Sequence, residues 1–162
     1  METVLFAHSR LNVINRDDYI FTHTGNSVVY LLPYRCPKRD TYLLGRFEAC
    51  PAHSQQIELY AITGQCEPET DPLHIALKEL YEEAGVLANT SQLVSLGSGY
   101  LTKQADTIAH FFMIDITDLP RSNAPTDGSR FEHGGYCGWI SRAQVLTARC
   151  VGLQALLARA RL

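Results

Sequence analysis

A chain of 162 residues with 46% apolar and 19% charged residues is long enough to bury a real core as one domain spanning 1–162, and its composition excludes disordered, collagen-like and repeat architectures. A formal net charge of −3 gives no general attraction to nucleic acid or to an acidic membrane. No apolar run approaches the roughly 18 residues of a membrane helix, Met1-Glu2-Thr3 lacks the basic start of a secretory signal, and the five cysteines, Cys36, Cys50, Cys66, Cys137 and Cys150, form no CxxC pair, so a cytoplasmic protein with reduced thiols in or near its core is expected.

Residues 1 to about 25 alternate enough in polarity to add strands, one of them Tyr19 to His23. Strands are then predicted over Ser27 to Tyr34, Thr41 to Arg46 and Gln56 to Ile62, each rich in β-branched, aromatic and leucine residues. Thr24-Gly25-Asn26 and the stretch from Cys36 to Asp40 supply the turns between them. A helix follows. Asp71 can cap its first free amides, Pro72 fits its first position, and Gly85 can take the left-handed conformation that ends it. Two more strands, Leu93 to Leu101 and Thr107 to Ile116, precede a loop from Asp118 to Gly128. Gly135 to Ile140 is the last short strand, and Ser141 caps a terminal helix carrying Val145, Leu146, Leu153, Leu156 and Leu157. A mixed central sheet with one mid-chain and one terminal helix makes the expected class α/β, an α/β/α layered domain.

On a wheel of 100° per residue, Leu73, Ala76, Leu77, Leu80 and Ala84 of the mid-chain helix fall in one arc that faces the core. Glu79, Glu82 and Glu83 fall in a second arc, because residues three and four apart lie above one another. Like charges at these spacings cost roughly 0.2–0.5 kcal/mol per pair even when solvated, and a bound cation removes that cost. The donors are hard oxygens with no neighbouring Cys or paired His, so the ion expected is Mg²⁺ or Mn²⁺, with substrate phosphates completing its shell. An exposed acidic helix face is the alternative reading of the three residues.

The stretch from Gly64 to Val86, GQCEPETDPLHIALKELYEEAGV, resembles the Nudix box, G-x5-E-x7-R-E-U-x-E-E-x-G-U, in which U is aliphatic. Gly64, Glu79, Leu80, Glu82, Glu83, Gly85 and Val86 match in register. Two positions depart from it: Thr70 stands where the box has its first glutamate, with Glu69 one residue earlier, and Lys78 replaces the arginine. The family is understood to pair that glutamate and arginine, holding the loop against the helix. A shift of one residue would let Glu69 and Lys78 take over, although lysine lacks the planar two-point geometry of arginine.

The resemblance implies a Nudix-type α/β/α sandwich with a mixed central sheet. It also implies hydrolysis of the diphosphate bond in a nucleoside diphosphate linked to another moiety, such as ADP-ribose or a nucleotide sugar, with Mg²⁺ or Mn²⁺ held by Glu79, Glu82 and Glu83. The general base is then Glu83 or a carboxylate from a loop outside the helix. Glu132, in FEHGGYCGW, is the outside candidate, and a solvated loop glutamate is its other reading. The carbonyl of Gly64 is expected near the site, since glycine lets backbone come close. VVYLLPYR followed by LLGRFE is most like the layout of the ADP-ribose and nucleotide-sugar diphosphatases, where Arg46 falls at a substrate-contacting arginine; a surface charge near a strand end is the alternative. Against that subgroup, ELYAITG stands where ELPAG is usual, and no proline follows the box at the usual spacing. N-terminal segments in the subgroup cross to a partner subunit, so a homodimer is expected. Hydrolysis of a nucleoside triphosphate, dinucleoside polyphosphate or capped RNA, or non-catalytic nucleotide binding, are the alternatives. Lys38-Arg39 with Tyr34, Tyr42 and Phe47 is too thin a basic stripe for RNA, and a binding module has no need of a repulsive glutamate trio.

Overall fold

The β-branched, aromatic and leucine runs form ten strands in a computed structural model that describes residues 2–37, 40–53, 56–124 and 134–162. The first three, β1 (Glu2–Ala7), β2 (Asn12–Arg16) and β3 (Tyr19–His23), make an antiparallel meander of their own. Asp17 and Asp18 turn its second hairpin with φ of 50° and 66°, the left-handed pair that a two-residue hairpin turn requires. The other seven are β4 (Ser27–Arg35), β5 (Tyr42–Ala49), β6 (Ile57–Tyr60), β7 (Ile62–Cys66), β8 (Val94–Tyr100), β9 (Ile108–Asp115) and β10 (Tyr136–Ile140). They form one sheet in the order β10-β5-β4-β9-β8, with β6 on β5 and β7 on β4. The sheet is mixed because β4 and β9 run parallel at its centre, while β10–β5, β4–β7 and β8–β9 are antiparallel.

Alternation along the strands gives the sheet two apolar faces. Leu31 and Leu44 point to one, where Val29, Ile62 and Ile114 pack with Ala76, Leu80 and Val86 of the α1 region (α1, Pro72–Ala84). Their neighbours Leu32 and Leu43 point to the other, against Val145 of α2 (Arg142–Thr147) and Leu153, Leu156 and Leu157 of α3 (Val151–Ala160). A helix of ten residues is not stable alone in water; burial of those three leucines, each worth about 1.5–3 kcal/mol, is what holds α3. The expected α/β/α layering around a mixed sheet is therefore what forms. No helix among the described residues is long and apolar enough to cross a membrane.

Two expectations are corrected. Gln56 to Ile62 is not one strand: β6 pairs with β5 and β7 with β4, and the chain changes partner at buried Ala61. An apolar run carries no mark of which neighbour it pairs with. The terminal helix is also two. Thr147 Oγ1 donates back to the Ala143 and Gln144 carbonyls, Ala148 turns extended with ψ 146°, and the Cys150 thiol accepts from Leu153 N to start α3. Gln154 Nε2 closes the joint by donating to the Leu146 and Ala148 carbonyls.

The N-terminal strands form as expected, and β3 ties them to the body through a bridge from Thr22 to Ala105 and a hydrogen bond between His23 Nδ1 and the Asp106 carboxyl. Ile14 and Phe21 are buried, whereas Val4, Leu5 and Phe6 of β1 are each more than half exposed, at 56%, 52% and 53%. Adjacent residues of a strand face opposite ways, so both faces of β1 are open.

Candidate active site

Both ends of α1 are set by the residues the sequence marks. Asp71 accepts from Leu73 N at 3.0 Å with Pro72 behind it, and Gly85, at φ 65°, ends the helix by donating to Tyr81 O at 2.9 Å. Gly85 has a second role. A Cβ there would lie 2.1 Å from Ser122 O, and Ser122 N donates to Gly85 O at 2.8 Å, so the backbone of 120–122 docks on the helix end. Ala76 and Leu80 are fully buried and Leu73 and Ala84 pack beside them as the wheel requires; Ile75, outside the predicted arc, joins them, and Leu77 is only half-buried.

Glu79, Glu82 and Glu83 keep 14%, 24% and 7% of their side-chain exposure, which rules out a freely solvated acidic face. Carboxylates withdrawn from water to that degree need compensating cations, and two are present. Lys78 Nζ lies 3.1 Å from Glu82 and 3.8 Å from Glu79, while Arg46 Nε lies 3.6 Å from Glu83 and donates to Glu48 at 3.2 Å. The three glutamates are thus split between two cations, and among the described residues no three Asp, Glu, His or Cys side chains are gathered into a metal-ligand cluster as they stand.

Two glycines bring backbone against this set. A Cβ on Gly64 would meet Glu79 Cγ at 2.5 Å and Ile75 Cγ2 at 2.7 Å, so β7 presses directly on the first glutamate. On Gly135 it would meet Arg46 Nη2 at 2.6 Å, so the entry to β10 crosses the guanidinium. Arg46 is 3% exposed, which corrects the reading of it as a surface charge. Burial works to lower its pKa, but the charge of Glu83 and the hydrogen bond to Glu48 outweigh burial, and the net shift is upward. Beside it, burial and then the charge of Glu83 push the Cys137 thiol up to about 12, and burial also raises Cys66 near Glu79. The oxygens gathered on this flank of α1 are those of the three carboxylates.

Glu69 sits exposed in the loop before α1 with φ 66°, and no ion pair joins it to Lys78 among the described residues; lysine at this position reaches Glu82 four residues on, on its own helix. Glu132 lies outside the described residues. Glu48 and Cys137 were missed by sequence reading. Glu48 left a signal, since Arg46 and Glu48 alternate in LLGRFE and so share a face; the pairing of Cys137 with Arg46 left none. Cavities of about 560 Å³, between the N-terminal sheet and the β8–β9 connection, and about 430 Å³, beside Glu67, Glu69 and Pro72, do not include the three glutamates.

Compared by sequence, the chain matches no protein-family model and no curated protein. Compared by structure, it is similar to the crystal structure of an ADP compounds hydrolase, with a TM-score of 0.71 and 15% identity over 99% of this chain and 90% of that one. It is also similar to a chain of the T. brucei MERS1-RNA complex, with a TM-score of 0.54 and 17% identity, covering 64% of this chain but only 38% of that one. At such identities what is shared is the fold, a Nudix-like mixed sheet between helical layers.

Proposed function

We propose that the chain is a cytoplasmic, divalent-metal-dependent hydrolase that cleaves the diphosphate bond of a nucleoside diphosphate linked to another moiety, ADP-ribose or a nucleotide sugar being the substrate class. The observation that carries this reading is the placement of Glu79, Glu82 and Glu83, mostly out of water on one flank of α1, with the Gly64 backbone against the first of them. The spacing of the box and the likeness in fold to an ADP compounds hydrolase support it.

The donors suit Mg²⁺ or Mn²⁺, because they are the hard oxygens of three carboxylates on one helix. Lys78, 56% exposed, is a single positive charge already drawn to two of these carboxylates, which a divalent ion would replace there. When bound, the ion would neutralise phosphate oxygens and lower the pKa of a water.

In the reaction, water attacks one phosphorus, the bond from that phosphorus to the bridging oxygen breaks, and the proton of the water passes to a carboxylate. Glu83 is the base the helix offers, and Glu132 is the candidate from outside it. Arg46 acts through Glu83 in this reading: it orients that carboxylate, with Glu48 fixing the guanidinium in turn. Gly64 lets the β7 backbone lie directly against Glu79, which in this reading brings its carbonyl to the substrate. The open β1 strand is the surface through which two copies pair.

The test is a substrate panel of ADP-ribose, nucleotide sugars, dinucleotides, triphosphates and a capped RNA, with Mg²⁺ and Mn²⁺ and with products separated by chromatography. Cleavage of ADP-ribose or a nucleotide sugar into two monophosphates is expected. Glu82→Gln and Glu83→Gln should each lower kcat by at least about a hundredfold, since charge stabilisation is the main catalytic contribution. Turnover equal to that of the unaltered chain in both variants would refute the assignment.

A further inference from the structure

Beyond Arg46, the α1 face of the sheet carries a second group of cations. Cys137 pairs with Arg46, Trp139 with Leu44, and Tyr42 with Arg35, so these six residues share one face. Arg35 Cζ stands 4.2 Å from the centroid of the Trp139 ring and 4.9 Å from that of Tyr42, and Arg121 Cζ stands 5.0 Å from Trp139. Two guanidiniums thus share one indole.

Stacking favours each of them separately, but their mutual repulsion opposes having both. Arg16, Arg46 and Arg149 each face a carboxylate, and Arg159, stacked on Phe111, donates instead to the Leu96 carbonyl. Among the described residues neither Arg35 nor Arg121 faces a carboxylate. Arg35 Nε is buried without a hydrogen-bond acceptor, a costly state for a charged donor. The Arg121 guanidinium has a lowered pKa, first through partial burial and then through the charge of Arg35.

Arg121 is held there by backbone. It bridges Val86, Leu87 N donates to Pro120 O at 3.0 Å, and Ser122 N donates to Gly85 O, so its segment is clamped to the end of the helix that carries the glutamates. Cys137 lies within electrostatic reach of both Glu83 and Arg121. From Cys137 to Trp139 is two residues of strand, roughly 7 Å, about the reach of one sugar ring.

We propose that Arg35 and Arg121, on the platform of Trp139, form an oxyanion subsite that takes a phosphate group, either carried by the substrate beyond its scissile diphosphate or free in solution. The substrate-borne form rests on the hydrolase reading above; the subsite itself does not.

Trp139 is the only tryptophan in the chain, so its emission reports on this subsite alone. Inorganic phosphate titrated at constant ionic strength, without divalent metal, should give a saturable change in emission in the unaltered chain, in Glu82→Gln and in Arg10→Gln. Arg121→Gln, an exposed position that leaves the core untouched, should weaken the apparent affinity at least tenfold, and Arg35→Gln should do the same. Absence of a saturable response in the unaltered chain, or its survival in Arg121→Gln, overturns the subsite. A second arm compares ADP-ribose with ADP-ribose phosphorylated on its terminal ribose. A KM at least about tenfold lower for the phosphorylated compound, lost in Arg121→Gln, assigns the subsite to substrate; a phosphate response without that difference assigns it to free phosphate. Because the titration needs no turnover, a phosphate response in a chain that hydrolyses nothing would sink the hydrolase and leave the subsite standing, and hydrolysis without the response would do the reverse.

Discussion

At 3% exposure, Arg46 faces Glu83 and Glu48 at 3.6 and 3.2 Å. Replacing it with methionine would keep most of the volume and remove the guanidinium that faces both carboxylates. Removing one partner of a buried pair typically costs 3–5 kcal/mol, so Arg46→Met should lower the urea unfolding free energy by about that much. Arg46→Lys should lose less but not nothing, because an ammonium cannot serve both carboxylates from fixed positions. A loss below about 1 kcal/mol in the methionine variant would show that Glu83 does not depend on it. The glutamate trio was readable in advance because helical spacing is a local property of the chain. The burial of Arg46 was not, because whether an arginine near a strand end lies inside or outside is decided by Gly135 and β10, which are some ninety residues away in sequence.

At the scale of elements, α1 is the best-determined piece, since Asp71, Pro72 and Gly85 each act through backbone groups within a turn of themselves. Asp71→Ala should cost about 1 kcal/mol for the lost cap. Gly85→Ala should cost more than the roughly 1–2 kcal/mol of left-handed strain, because its Cβ would also collide with Ser122 O and push the 120–122 segment off the helix. Chemical denaturation of both variants measures the difference; a Gly85→Ala loss no larger than the strain alone would mean that the segment does not depend on this glycine. The glycine's role as a helix stop could be read from the sequence, but its role as a dock could not, because the segment it receives lies more than thirty residues on. The break between α2 and α3 escaped for another reason: Thr147 to Cys150 contain no glycine or proline, and the leucines on either side keep a helical rhythm across it.

For the molecule as a whole, the layered class followed from the order of strand-like and helix-like runs, and it is shared with an ADP compounds hydrolase at only 15% identity. Pattern, more than particular side chains, carries that level of structure. Association is an expectation that comes only from the resemblance. The open strand with Val4, Leu5 and Phe6 exposed is where the proposed second copy would sit, and light scattering after gel filtration should give twice 18.1 kDa for the unaltered chain and 18.1 kDa for Phe6→Asp. A monomer in both would remove the dimer from the proposal without touching the site.

The ammonium of Lys78, 3.1 Å from Glu82, makes the helix its own placeholder. A cation tethered to the same helix acts at an effective concentration on the order of millimolar, so the proposed divalent ion would have to displace it. Chelation should therefore silence the proposed chemistry while leaving the melting curve almost where it was, whereas Lys78→Ala should load at a lower ion concentration and show a melting curve that falls once the ion is removed.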